Sequence, residues 1–401
     1  MAEDETLTPL LTEARALLPQ ATALRRRLHQ HPELGLELPQ TRDAVLEALQ
    51  GLDLDIARSS TTSGFVATLR GAGPGPSIVL RADMDALPLT EDTGLEFASR
   101  EAGRMHACGH DAHTAMLACA ARLLAHRREG FDGSIQFMFQ PGEEGHFGAR
   151  FMLEEGLLEA NGKPVVAFAI HVDPRLPCGM VASRPGPVLA AADVWHVEVT
   201  GKGGHASMPH DAVDPIPVAC EIVQALQSFV TRRFDVFDPV VLTTTRIEAG
   251  TTANVIPEQA RILGTLRSTS EYARRRAHAG IQRIAEQIAA AHETRAVVQV
   301  VSGYPTTVNG AAPARFVQEV TTALLGPSAF IEMPTPVMGA EDFAYVLERI
   351  PGAILFLGAR LPGDGGAAPC HSNRMVLNEE AMVAGIALHA ALALRSLQSH
   401  A

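Results

Sequence analysis

Basic residues are scarce in this 401-residue sequence. There are 33 lysines and arginines against 45 acidic residues, a formal net charge of −12, and no basic run exceeds the three arginines at 25–27 and 274–276. An electrostatic grip on nucleic acid needs clustered cations, so that class of partner is set aside. Cysteine is sparse too: Cys108, Cys119, Cys178, Cys220 and Cys370 are odd in number and irregularly spaced. That is not a disulfide framework, and it suits a reducing compartment. Nowhere do about 18 apolar residues run together, the length a membrane-spanning helix needs. The N-terminal stretch MAEDETLTPL is acidic where a secretory signal carries a basic segment. The expectation is a cytoplasmic protein that acts on a small molecule, with neither nucleic acid nor membrane as partner.

What is present is globular material. Apolar residues make up 46% and charged residues 19%, enough for one large domain or two ordinary ones. Helical spacing over 6–50 is interrupted by HQHPELGLE, where Pro32 and Gly35 break the pattern. Short apolar runs follow at 64–70, 77–82, 134–140 and 165–170, with a helix pattern over 112–128 that Asp111 is placed to cap. Strands alternating with helices predict an α/β sheet covered on both faces. Near residue 188 the pattern changes to strand, helix, two strands, a long helix (271–293) and a strand, the β-α-β-β-α-β order of a ferredoxin-like unit. This reads as a domain inserted at 188–303 between two parts, 1–187 and 304–401, of the larger one. The last part holds helix patterns at 313–325, 340–349 and 377–397 and an apolar run at 352–359.

In an open α/β sheet, ligands gather at the carboxyl ends of strands. SIVLRADMDALP delivers Asp83 and Asp85 to such an end, SIQFMFQPGEEG delivers Glu143 and Glu144, and VVAFAIHVDP delivers His171. Each alone has an ordinary reading as a turn residue, a solvated pair or an interior histidine. Together with MHACGHDAHTAM (105–116), whose Cys108 and His110 are both transition-metal ligand types, they point to one metal centre. The His106/His110 spacing imitates a zincin helix, but Ala107 stands where the base of that motif belongs and Gly109 disfavours a helix through this point. Adjacent carboxylates diverge, so one of Glu143 and Glu144 can ligate while the other handles a proton, the division of labour in metal-assisted hydrolysis.

Ten blocks in order carry a resemblance over nearly the whole chain: LHQHPELGLE, RADMDALP, MHACGHDAHTAM, FQPGEEG, IHV, GKGGHASMPH, ANVIP, GTLR, MGAEDF and CHS. The chain resembles the M20 metallopeptidases. It is most similar to their amidohydrolase branch of hippurate hydrolases, N-acyl-amino-acid deacylases and auxin-conjugate hydrolases. The resemblance implies a zinc-peptidase-like α/β catalytic domain with an inserted ferredoxin-like α+β domain that serves as lid and dimerisation domain. It implies two divalent transition-metal ions (Zn, Mn, Co or Ni) held by Cys108, His110, Glu144, His171 and His371. Glu143 is then the general base and Asp85 the second catalytic carboxylate. His205 would stabilise the oxyanion in a neighbouring subunit's site, with Asn254 in a similar polar role and Arg267 at the substrate carboxylate. Asp83 falls where other branches carry a histidine ligand, while His29, His31, His106 and His113 are expected to support or pack.

The implied reaction is cleavage of an N-acyl amino acid (hippurate-like, N-acetyl or N-benzoyl) to a carboxylic acid and a free amino acid by a homodimer or tetramer. The rival readings are an M20-type di- or carboxypeptidase acting on unmodified peptides and a non-catalytic metal-binding homologue. A thiolate in the ligand set disfavours Mg and Ca and makes the site sensitive to oxidation. One block departs from the family: CHSNRM has Asn373 and Met375 where proline and phenylalanine are usual, which puts the shape of the adjoining pocket in question.

Overall fold

A computed structural model describes residues 7–363 and 368–400. Helices α1 (Thr8–Gln30) and α2 (Pro39–Ala48) flank the HQHPELGLE interruption. Then come β1 (Asp55–Arg58), β2 (Phe65–Arg70), β3 (Ser77–Asp83), α3 (His110–Ala125), β4 (Ser134–Gln140), α4 (Gly148–Glu154), β5 (Pro164–Pro177), β6 (Val181–Ser183) and β7 (Gly186–Leu189). The chain continues through β8 (Ala191–Thr200), β9 (Gly204–His205), α5 (Pro215–Arg233), β10 (Val240–Ala249), β11 (Val255–Ile256), β12 (Gln259–Ser268), α6 (Glu271–Ala291), β13 (Arg295–Ser302) and β14 (Thr307–Asn309). It closes with α7 (Ala311–Leu325), β15 (Phe330–Glu332), α8 (Ala344–Leu347), β16 (Gly352–Arg360) and α9 (Ala381–Ser399).

Two compact units result. The first takes the described residues up to Val188, Val308–Thr335, and the described residues from Asp342 onward. Its sheet runs in the order β1-β2-β4-β3-β5-β16-β6-β15, and β4, β3, β5 and β16 are mutually parallel. Central parallel strands are covered on both faces, which is why SIQFMFQ is buried along its whole length and reads as a continuous run. Parallel neighbours send their carboxyl ends to one edge, so β3 and β4 release Asp83–Asp85 and Glu143–Glu144 side by side. The β5 run differs from its expected limits, because the strand extends to Pro177 and His171 pairs with Phe356 inside it. His171 still reaches the same edge, since β3 stops pairing with β5 at Arg81 opposite Ala169.

Helices α1, α3, α7 and α9 share one apolar cluster with this sheet. By length and composition α9 is the one described helix apolar enough to cross a membrane, but 89% of that window is buried inside the protein. Helix α3 begins at His110, and the expected capping role of Asp111 is corrected: the preceding position is Gly109 in the left-handed region (φ +84°). Asp111 sits buried in the first turn, where its carboxylate accepts from Arg25 Nε (3.1 Å) and pairs with His29 Nδ1 (2.8 Å). The helix pattern over 340–349 shrinks to the single turn α8, because the Asp342 carboxylate is engaged with Arg81 Nη2 (3.1 Å) and with the Ala149 N–H (2.9 Å) at the start of α4.

The second unit comprises Leu189–Thr307 and Pro336–Glu341. Its antiparallel sheet has the order β10-β12-β8-β13, the ferredoxin-like arrangement. Along β8 burial alternates, and Trp195, Val197 and Val199 turn inward into a core shared with α5 and α6. Gly264 pairs across from Trp195, and a Cβ there would stand 2.3 Å from the indole. Asp214 caps α5 through the Ile216 N–H (2.9 Å) and Ser270 caps α6 through the Ala273 N–H (3.0 Å). Pro336–Glu341 joins this unit through the Ala190 N–H, which donates to the carbonyls of Gly339 (2.8 Å) and Val337 (3.1 Å).

Candidate metal centre

Asp85 organises the edge. Its buried carboxylate accepts the backbone N–H of Glu143 at Oδ1 and that of Glu144 at Oδ2, both at 2.9 Å. Its carbonyl accepts from His110 Nδ1 at 2.8 Å. One residue thus fixes the backbone of both glutamates and the ring plane of an imidazole.

The histidines are set for ligation. His110 donates through Nδ1, which leaves Nε2 bare, and His171 Nδ1 donates to the Val172 carbonyl at 2.8 Å, leaving its Nε2 at 3.4 Å from Cys108 Sγ. A metal-bound histidine characteristically gives its other N–H to a carbonyl or carboxylate. His110 Nε2 and Glu144 Oε1 are buried without a hydrogen-bond partner among the described residues, although His371 Nε2 lies 3.1 Å from Glu144 Oε1. Ligand atoms at about 2.0 and 2.3 Å from a tetrahedral ion stand roughly 3.5 Å apart, close to the Cys108–His171 separation. Two overlapping sets converge, Cys108 with His110 and His171, and Cys108 with Glu144 and His371. His371 holds a left-handed backbone (φ +69°), unusual for a residue with a side chain. Its N–H donates to the Ala107 carbonyl (2.8 Å).

Asp83 is differently placed. Its carboxylate pairs with Arg81 Nη1 and His113 Nδ1, each at 2.6 Å, and its Oδ2 stands 3.6 Å from His110 Nε2. His113 Nε2 accepts the Val172 N–H at 2.8 Å, so both its ring nitrogens are occupied. His113 was legible in the sequence only as a supporting histidine. The structure shows it tying β3 to the backbone beside His171. Arg81 also donates to Gln140, joining a buried chain that ends on Asp342. The MGAEDF block pointed to this region without marking Asp342.

Charge in the cluster favours cations. Burial opposes a charge on His110, yet Asp83 and then Asp85 raise its pKa to about 10. Burial also disfavours the Glu144 carboxylate, but the adjacent His371 imidazole and the His110 charge hold its pKa below the usual value. The Cys370 thiol, burial and the two glutamates push Cys108 well above the usual thiol range, so a thiolate there requires an adjacent positive ion. With His113 the balance goes the other way, burial lowering its pKa to about 4.

The remaining histidines separate cleanly. His29 is buried against Asp111 and Glu91, His31 is part-exposed at 3.5 Å from Glu101, and His210 is exposed. His106 is buried with no partner on either ring nitrogen among the described residues, and burial lowers its pKa to about 3. The departure at Met375 is a packing change, since this side chain is buried with Met105 and Ala107. Asn373 is exposed, and its carbonyl accepts the Asp92 N–H (2.8 Å).

Within the second unit, His205 on β9 pairs with Val255 of β11, and the Asn254 carbonyl accepts the Ala206 N–H (3.1 Å), so His205 and Asn254 are neighbours. His205 Nδ1 accepts the Ser207 N–H (3.1 Å), which puts the ring proton on Nε2 and leaves a donor available. Arg267 on β12 is half-buried and has no ion-pair partner among the described residues.

The inward-facing imidazole nitrogens, the buried carboxylate oxygen beside His371 and the soft thiol fit divalent transition-metal ions. Comparison with known proteins agrees with this chemistry. The chain is 38% identical over 376 residues to thermostable carboxypeptidase 1 of Saccharolobus solfataricus, covering 93% of this chain and 94% of that protein. It is likewise 38% identical to the N-acetylcysteine deacetylase of Bacillus subtilis, over 94% of this chain and 96% of the relative. The crystal structure of Bacillus subtilis YXEP, described as a dinuclear metal binding peptidase from the M20 family, superposes with a TM-score of 0.84 at 33% identity, covering 96% of this chain and 99% of that one. Residues 79–395 match the sequence profile of peptidase family M20/M25/M40, and the chain belongs to that family.

Proposed function

We propose that the chain is a metal-dependent amidohydrolase that cleaves the amide bond of N-acyl amino acids. The observation that carries the reading is the paired set around Cys108, in which His110 and His171 each give one ring N–H to a backbone carbonyl and present the other nitrogen inward. Two divalent ions held by Cys108, His110, Glu144, His171 and His371 would polarise the scissile carbonyl and acidify the attacking water. Glu143, buried and fixed through its N–H on Asp85, takes the proton from that water and returns it to the leaving nitrogen. His205 Nε2–H, supported by Asn254, donates to the oxyanion. Arg267 receives the substrate carboxylate in a two-pronged contact.

The ferredoxin-like segment, 188–303 in the sequence reading, acts in this account as lid and dimerisation domain between the catalytic segments 1–187 and 304–401. His205 is delivered to the partner's site in a homodimer or in a tetramer built from such dimers. A cytoplasmic location keeps Cys108 reduced.

Peptide cleavage is the second reading, favoured by the carboxypeptidase among the relatives. Metal-free protein reconstituted separately with Zn, Mn, Co and Ni, then given N-benzoylglycine, N-acetyl amino acids and plain dipeptides, separates the two. Metal-restored release of amino acid from the acylated substrates supports the proposal. Cleavage of dipeptides alone replaces it with the peptidase reading.

A further inference from the structure

Cys370 is not among the expected ligands, yet it stands against one. The His371 N–H donates to the Ala107 carbonyl at 2.8 Å, so the peptide groups 370–371 and 107–108 are bonded directly to each other. Each cysteine flanks that bond, and the two thiols interact. Neither is in a disulfide, and exposure differs: Cys108 is buried and Cys370 is part-exposed. Cys370 also directs its sulfur toward the Val172 carbonyl (3.9 Å), the carbonyl that orients His171. A second thiol is therefore held beside the proposed thiolate ligand, reachable from solvent and with a buried partner within contact.

We propose that Cys108 and Cys370 form a reversible disulfide under peroxide, and that this oxidation releases metal by removing the sulfur shared by both ligand sets. Hydrogen peroxide oxidises the more accessible Cys370 thiol to a sulfenic acid, with one water leaving. The Cys108 sulfur then attacks the Cys370 sulfur. The S–S bond forms, the S–O bond breaks, and the hydroxyl departs as a second water, taking the Cys108 proton in metal-free protein and a solvent proton where Cys108 is a metal-bound thiolate. The two thiols together supply two electrons, which one peroxide consumes. A thiol reductant reverses the step by exchange.

The pairing is independent of the reaction the enzyme catalyses, whereas metal release rests on the ligand set proposed above. The test uses full-length protein, loaded with zinc or metal-free, exposed to hydrogen peroxide and then to dithiothreitol. Peptide mapping should find residues 108 and 370 linked, with a mass loss of roughly 2 Da and two fewer free thiols than the five of the sequence. A zinc indicator should report release that dithiothreitol reverses. Cys370→Ser should bind zinc and form no disulfide at Cys108, so that oxidation there runs past the reducible sulfenic acid and less of its zinc loss is reversed by dithiothreitol than in wild type. Absence of the 108–370 link in both forms overturns the pairing. A link with zinc retained overturns the release. Equal, fully reversible zinc loss in Cys370→Ser shows that release does not need the disulfide and overturns the proposed mechanism.

Discussion

Asp85→Asn is the perturbation that separates positioning from ligation. The native carboxylate satisfies two backbone N–H groups, those of Glu143 and Glu144, at 2.9 Å each. An amide has one acceptor oxygen, so at most one of these bonds survives and the new NH2 faces the other N–H. An unmade buried hydrogen bond costs about 1–3 kcal/mol, which sets the loss at about 1–3 kcal/mol for Asn and about twice that for Asp85→Ala. Against a total stability of about 5–15 kcal/mol, the Asn variant remains folded and can be assayed. Its larger effect falls on turnover, because Glu143 and Glu144 share the released backbone, and a displacement of about 1 Å at a reacting group costs roughly 100-fold. Thermal unfolding and steady-state kinetics at saturating metal should show a modest drop in melting temperature and a fall in kcat on the order of 100-fold, with a smaller change in KM. Wild-type kcat together with an unchanged melting temperature would refute the assignment of Asp85 as the anchor of both glutamates.

Gly109 is required by its φ of +84° and by Val172 Cγ2, which a Cβ would approach to 2.4 Å. Gly109→Ala should therefore weaken metal binding by shifting Cys108 and His110 together, and unaltered zinc affinity would contradict the packing argument. His29 is buried, and its hydrogen bonds to Asp111 and Glu91 outweigh that burial and lift its pKa to about 9. Because the folded value lies above the unfolded one, near 6.5, the stabilisation is complete below about pH 6.5 and fades as pH rises through about 9, a loss of roughly 3 kcal/mol. Denaturant titrations from pH 6 to 10 on wild type and His29→Gln should diverge at low pH and converge at high pH. Parallel curves would remove His29 from the account. For the shared site, His205→Ala and Glu143→Gln should each be inactive alone and regain activity when mixed under conditions of subunit exchange. No recovery despite demonstrated exchange would place His205 outside the partner's reaction.

The strand runs were legible because both faces of the central parallel strands are covered, and a fully buried strand such as SIQFMFQ carries no competing polar signal. The ferredoxin-like order was legible for a related reason, since β8 faces its helices on one side and alternates accordingly. The convergence of Asp83, Asp85, Glu143 and Glu144 followed from the rule that parallel strands discharge at one edge. What the sequence could not show was pairing across that edge. Asp83 and His113 are 30 residues apart and meet through a 2.6 Å hydrogen bond. Asp342 reaches Arg81 across 261 positions, and no local period records either contact. Asp111 looked like a helix cap because capping chemistry is local, but the buried Arg25 and His29 claim its carboxylate. The Asp85 carboxylate lies 3.6 Å from the His110 imidazole, and its hold on the two backbone amides of Glu143 and Glu144 had no signal in the local sequence.

Glu143→Gln isolates the proton-transfer step, because the substitution keeps the shape of the side chain and removes its capacity to accept a proton. Metal content per chain and turnover of N-acyl amino acids would be measured on the same samples. Metal content should match wild type while turnover falls about 10²- to 10⁴-fold or more. Turnover near wild type with metal bound would contradict the role of Glu143 as base, since the water would then be losing its proton to another group.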